Sequence, residues 1–337
     1  MKRQLNDFKK GHCSYLDGNK SVIKISDAYQ NISFDVYEVN DILGRRVRFY
    51  FSPLRKNKHK ELPTAVFIQG SGCHSLFRKD EQGRILSGYQ RLLQKIGEGR
   101  VNVLAVEKPG VSFLDWHSQS GSAVKCSQAF LEEHTLERWL TALHTVLHAV
   151  LNSLDVDKSR VLVLGHSEGG LVAACLANCC EKITHVGIIS SSSISQVYEF
   201  ILKKNHPKPA VVISERHTNE RATNSIFETL DLIRQTPEST DDFAWGHPFR
   251  RWSSFLSTST FEQLLSCKAN IYVAHGTKDT VIPIESFDLM VSALQEKSVR
   301  LKVERLQNLD HGFRSENDKK TVGIERIMSK FLDWALD

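Results

Sequence analysis

No apolar run in the 337-residue chain approaches the roughly 18–20 residues needed to cross a bilayer, and no internal repeat or low-complexity tract interrupts it. Hydrophobic residues at 41% and charged residues at 25% exclude a collagen, a coiled coil and a disordered tail protein. The first twenty residues carry charge but no apolar centre, so no secretory signal is expected. Paired CxxC motifs are missing, so nothing marks a zinc site. The seven cysteines, at positions 13, 73, 126, 175, 179, 180 and 267, are expected to be free thiols in a reducing cytoplasm. What remains is an ordinary globular chain, long enough for one large domain with an insertion.

A formal net charge of +5 raises the question of a nucleic-acid partner. The surplus is local. Residues 1–60 hold 13 Lys and Arg against 6 Asp and Glu, so the rest of the chain sums to −2. The densest cluster, Arg55–Lys60, contains no aromatic residue. It reads as a solvated hairpin tip, and no nucleic-acid partner is expected.

Ile32–Val39 and Arg45–Phe51 alternate apolar and polar residues around Asn40, Asp41 and Gly44, the pattern of an antiparallel pair. Further on the pattern changes. Ala65–Ile68, Val101–Val106, Val161–Leu164, Val186–Ile189 and Ile271–Ala274 are short continuous apolar runs, which suit strands buried on both faces of a parallel sheet. Helical periodicity fills Ile85–Ile96, Ala129–Leu154 and Leu171–Cys180 between them. Leu301–Leu306 is a last strand candidate and Val322–Leu336 a closing amphipathic helix. The expected architecture is α/β: a mostly parallel sheet with antiparallel N-terminal strands and helices on both faces. Residues 191–268 break the rhythm with four of the eight prolines and many aromatics. They are expected to form a helical lid inserted into a core made of residues 1–190 and 269–337.

The chemistry concentrates in three segments. Val161–Leu164 runs into Gly165-His166-Ser167-Glu168-Gly169 and then directly into a helix. This strand–turn–helix places a serine on a sharp turn that only flanking glycines permit, at a helix N-terminus whose dipole favours negative charge. A serine hydroxyl needs a base, and the base needs an orienting acid. Asp279 follows the strand Ile271–Ala274 in His275-Gly276-Thr277-Lys278-Asp279, and His311 follows Leu301–Leu306 in Leu309-Asp310-His311-Gly312-Phe313. Both sit where loops at the C-terminal ends of strands carry function.

GHSEGG, HGTKDTVIP and LDHGF, in this order, resemble the serine hydrolases of the α/β-hydrolase family, in its esterase and prolyl-oligopeptidase-like branch, over roughly residues 30–337. The resemblance implies Ser167 as nucleophile, Asp279 as the triad acid and His311 as general base. Asp310 is the weaker candidate for the acid, and His166 and His275 read as packing or backbone-bonding residues. The developing oxyanion needs donors. The resemblance assigns the N–H of Glu168 and one from the loop Gln69–Ser75, preferably Ser71, with Gly72 as fallback. That loop has Gln69 where such loops usually have histidine. Phe113 and Trp116 are candidates for the pocket rim, and Trp245 and Trp252 of the lid for substrate contact. No metal or organic cofactor is implied. The expected activity is hydrolysis of a carboxylic ester or related acyl compound with an apolar portion. A small-peptide serine peptidase, a thioesterase and a non-catalytic ligand-binding member of the fold remain open.

Overall fold

Sequence patterning and turn chemistry account for most of the elements in the computed structural model, which describes residues 22–25, 32–53, 61–116, 121–202, 226–297, 299–315 and 323–337. The Arg55–Lys60 cluster lies outside them. After the short β1 (Ile23–Lys24), the strands β2 (Asp35–Asn40) and β3 (Arg46–Phe51) pair antiparallel. Their turn is closed by Asp41, whose Oδ1 accepts from the N–H groups of Leu43 at 2.8 Å and Arg45 at 3.0 Å. β4 (Pro63–Ile68) follows, then a hairpin of β5 (Phe77–Lys79) and β6 (Ile85–Ser87), then α1 (Tyr89–Ile96) and β7 (Asn102–Val106). The helical pattern expected over Ile85–Ile96 is therefore cut at Gly88, and its first three residues pair as a strand. α2 (Gln128–Glu133) and α3 (Leu136–Ser153) divide the next expected helix. The divide has its own caps, because Ser127 accepts from Phe130 N–H and Thr135 from Arg138 N–H.

β8 (Asp157–His166), α4 (Glu168–Cys179) and β9 (Ile183–Ile189) come next. The excursion between residues 191 and 268 holds α5 (Gln196–Leu202), α6 (Ile226–Gln235), the two-residue strands β10 (Phe243–Ala244) and β11 (His247–Pro248), α7 (Phe249–Phe255) and α8 (Thr260–Ser266). The chain closes with β12 (Asn270–Gly276), α9 (Ile284–Leu294), β13 (Leu301–Leu306) and α10 (Gly323–Leu336).

Nine of the described strands share one sheet in the order β1-β2-β3-β7-β4-β8-β9-β12-β13. The first three run antiparallel to their neighbours, and β7, β4, β8, β9, β12 and β13 are mutually parallel. Two apolar layers sandwich the sheet. One gathers Leu143 and Val146 of α3 with Leu171 and Val172 of α4, and the other gathers Leu93 of α1 with Phe331 and Leu332 of α10. Complete burial of a side chain such as Phe331 contributes about 2–3 kcal/mol.

The excursion leaves the sheet between two neighbouring strands, β9 and β12, and packs on α3 and α4. Ser254 Oγ of α7 accepts from Leu136 N–H at 2.8 Å, and Asn178 Nδ2 of α4 donates to Gln263 Oε1 of α8 at 2.8 Å. No described helix is long and apolar enough to cross a membrane. One expectation about cysteine is corrected. Cys73 and Cys126 form a disulfide, because the loop after β4 and the approach to α2 meet in space although 53 residues separate them. Cys175, Cys179, Cys180 and Cys267 are not part of that disulfide, and Cys13 lies outside the described residues.

Candidate active site

Ser167 stands between β8 and α4 with φ of 56° and ψ of −125°, a left-handed backbone that a non-glycine residue adopts only under constraint. The constraint is visible on both sides. A Cβ on Gly165 would lie 2.0 Å from the Gly169 carbonyl oxygen, and one on Gly169 would lie 2.3 Å from that of Ile68. Neither position has room for a side chain. Ser167 N–H donates to Ile189 O at 2.9 Å, and Gly170 N–H to Ser167 O at 2.9 Å. These bonds fasten the turn to β9 and start the helix.

Asp279 and His311 come from the loops after β12 and β13. His311 Nδ1 lies 2.7 Å from Asp279 Oδ2, which leaves Nε2 for the serine. The second oxygen of Asp279 accepts from the N–H groups of Val281 at 2.8 Å and Ile282 at 2.9 Å. Burial by itself would raise the Asp279 carboxyl. The His311 hydrogen bond and charge, with Ile282 N–H and His275, carry it below the ordinary carboxylate value instead. Asp279 is thus an ionised acceptor at neutral pH. His275 Nε2 lies 3.0 Å from Ile282 O and 3.3 Å from Asp279 Oδ2, which supports that carboxylate.

His166 bonds the backbone of His311: its Nε2 is 3.1 Å from His311 O. Burial and then the neighbouring His311 push its imidazole down to about 4, so neutral His166 donates that bond. Asp310 turns away from the histidine beside it. Its Oδ1 accepts from Gly312 and Arg314 N–H at 2.9 and 2.8 Å, and Phe313 plugs this loop into the core.

Ser167 and His311 line one cavity of about 560 Å³, together with Gly70, Ser71, Tyr89 and Trp116. Arg78 and Arg314 also line it. A Cβ on Gly70 would sit 3.2 Å from Ser167 Cβ, so the loop after β4 lies directly against Ser167. Ser71 lines this cavity and Gly72 does not. Gln69 resolves its departure from the usual histidine, since its Nε2 donates to His74 O at 3.0 Å and spans the loop. Glu168 begins α4, where an N–H has no partner in its own helix.

The rim expectations divide. Trp116 lines the cavity, stacked on His74 at 5.8 Å and under the Arg78 guanidinium at 5.5 Å. Phe113 does not, because it packs inward on Tyr50 and Phe77. Trp245 and Trp252 are likewise absent from the lining. Trp245 stacks on Phe200, and Trp252 is buried with its Nε1 donating to Ala244 O, so they hold the excursion's own core. None of the excursion's described residues lines the cavity.

Sequence reading missed a buried charge cluster behind the turn. The Glu168 carboxylate accepts from the Arg251 guanidinium of α7 and lies 3.3 Å from His134 Nε2. Lys108, after β7, is buried beside them. Glu168 is held well below the ordinary carboxylate value: burial opposes this, but the Arg251 charge and His134 outweigh it.

The sequence pattern of the prolyl oligopeptidase family matches residues 140–337, more than half of the chain, including Ser167, Asp279 and His311. The chain belongs to the prolyl oligopeptidase family. It is an α/β-hydrolase of the serine hydrolase type. The family match leaves out the Gln69–Ser75 loop. No curated protein matches the chain in sequence. Among solved structures, it is similar to an acetyl xylan esterase from Paenibacillus sp. R4, with a TM-score of 0.59 and 15% identity over 98% of this chain and 92% of that one. Acetyl xylan esterase 1 from Thermoanaerobacterium sp. JW/SL YS485 gives 0.59 and 13% over 100% and 99%. A puromycin-hydrolyzing peptidase of Mycobacterium tuberculosis gives 0.58 and 15% over 90% of this chain but 39% of that one. Likeness at these identities speaks for the fold.

Proposed function

We propose that the protein hydrolyses carboxylic esters through an acyl-enzyme. The observation that carries this reading is the His311–Asp279 hydrogen bond of 2.7 Å in the loop pair that shares a cavity with Ser167. Ser167 Oγ attacks the ester carbonyl while His311 Nε2 takes its proton. Asp279 holds the Nδ1–H tautomer and balances the imidazolium. The N–H groups of Glu168 and Ser71 receive the oxyanion. Collapse of the tetrahedral intermediate expels the alcohol, protonated by His311, and water repeats the sequence to release the acid.

The ester reading draws support from the acetyl xylan esterases, whose chains this one matches over nearly their full length. The peptidase match covers 39% of that chain. Trp116 and Tyr89 offer aromatic surface to an apolar portion of the substrate. The Cys73–Cys126 disulfide weighs against a cytoplasmic placement. Rates on p-nitrophenyl esters of increasing acyl length, measured beside aminoacyl anilides, test the substrate class. Esters are expected to be cleaved faster; if an anilide outpaces every ester, the small-peptide peptidase reading replaces this one.

A further inference from the structure

Lys108 has no part in the chemistry above, yet it is almost fully buried at 2% exposure. Taking an ammonium out of water is costly unless its donors are used. Its Nζ donates to the carbonyl oxygen of Gly72, in the middle of the Gln69–Ser75 loop, and lies over the Trp139 ring at 5.4 Å. The preceding residue holds the other end of the same segment. Glu107 accepts from Ser75 Oγ at 2.6 Å and Leu76 N–H at 3.3 Å, and is itself steadied by Tyr50 OH at 3.0 Å. Adjacent residues at the end of β7 therefore grip the loop at two points.

The grip matters because of what it grips. Gly72 has a φ of +89°, and glycine gives the backbone freedom to turn its peptide planes. A fixed carbonyl removes that freedom, since the peptide plane turns as a unit. One residue earlier is Ser71, and one before that is Gly70, packed on Ser167.

We propose that Lys108 is a positioning residue for acyl transfer: its ammonium clamps the Gly72 carbonyl, while Glu107 clamps Ser75 and Leu76, and together they fix the oxyanion loop against Ser167. The inference rests on the reading above that this loop supplies an oxyanion donor. The charged groups facing Lys108 are Glu107 beside it, Glu168 of α4 and Arg251 of α7, with His134 between α2 and α3. Burial lowers the Lys108 ammonium to about 8, against the pull of Glu168 and Glu107. The clamp is charged below that pH and loses its charge above it.

The test compares wild type with Lys108→Met and Ser75→Ala in steady-state ester hydrolysis from pH 6 to 9.5, with thermal unfolding recorded alongside. Misplaced oxyanion donors act on the transition state and spare ground-state binding. Folded Lys108→Met is expected to lose about 10²-fold in kcat with KM nearly unchanged. Its inhibition constant for an alkyl trifluoromethyl ketone, which fills the oxyanion site, is expected to rise in step. Ser75→Ala is expected to show a smaller loss of the same kind. Wild-type kcat/KM is expected to fall through pH of about 8, and Lys108→Met to lack that fall. A kcat within twofold of wild type in folded Lys108→Met would overturn the proposal, as would a raised KM with kcat unchanged. Should Lys108→Met not fold, a kcat and trifluoromethyl ketone inhibition constant both within twofold of wild type in folded Ser75→Ala overturn it. Absence of ester turnover in the wild type would instead strike the functional reading beneath.

Discussion

Replacing Arg251 by methionine removes the guanidinium from the Glu168 carboxylate while keeping an apolar stem against Trp252 and Phe255, over which Arg251 lies at 3.9 and 4.4 Å. Both members of the pair are only 2% exposed at the side chain. Breaking a buried pair on one side leaves an uncompensated charge and costs about 3–5 kcal/mol. With an unfolding entropy of roughly 2.1 cal/mol/K per residue, a chain of 337 residues should lose about 4–7 °C in Tm. The loss should also depend on pH. In the wild type the depressed Glu168 carboxyl contributes stability above its unfolded value of 4.5, lost as pH falls through its lower folded value. Without Arg251, burial dominates and the folded value rises. The variant then recovers relative to wild type on acidification, as Glu168 takes up a proton. Adding Glu168→Gln should recover part of the loss at pH 7, because a neutral amide needs no counter-charge. Thermal unfolding followed by circular dichroism at pH 7 and pH 5 reads all three effects. A Tm within about 1 °C of wild type at pH 7, or a deficit independent of pH, would refute this reasoning.

Asp279→Asn should leave Tm and KM close to wild type and reduce kcat by about 10⁴-fold, since the amide favours the wrong His311 tautomer; steady-state kinetics with an unfolding control checks it. Acid sensitivity is expected from four imidazoles. Burial holds His134, His166 and His185 at about 4 and His247 at about 3, so each protonates more readily when unfolded. Their contribution is present above pH of about 6.5 and lost as pH falls toward the folded values. Glu107, raised to about 7 by burial, acts oppositely between its unfolded 4.5 and 7. Four protons against one leave about three near pH 5, a slope of up to about 4 kcal/mol per pH unit. Urea unfolding between pH 7 and 4.5 measures it, and a flat profile contradicts the buried neutral histidines.

Much of the sheet was legible because strands buried on both faces leave apolar runs, as in Val161–Leu164 and Ile271–Ala274. The loops that bring Asp279 to His311 were legible for a related reason: both residues sit shortly after such strands. Ile85–Ser87 escaped because a three-residue strand has too few residues to show a period of two, and it abuts a true amphipathic helix. The charge cluster escaped for a deeper reason. Arg250 and Arg251 are neighbours in sequence, yet Arg250 pairs with the exposed Glu238 while Arg251 reaches buried Glu168. Charge type does not encode burial. Lys108 and Glu107 carry no local signature, because Gly72, Ser75 and Leu76 come beside them only through the fold. Among the rim aromatics, Phe113 and Trp116 differ by three positions, and only tertiary packing sends one inward and leaves the other at the cavity. The Cys73–Cys126 pairing is a tertiary contact of the same kind, with no local signature.

The most direct test of the central claim is intact-protein mass spectrometry after treatment with a fluorophosphonate. The wild type should gain one phosphonyl adduct, mapped by peptide analysis to Ser167, and Ser167→Ala should gain none. An unmodified wild type, or an adduct that persists in Ser167→Ala, would contradict the assignment of Ser167 as the activated nucleophile.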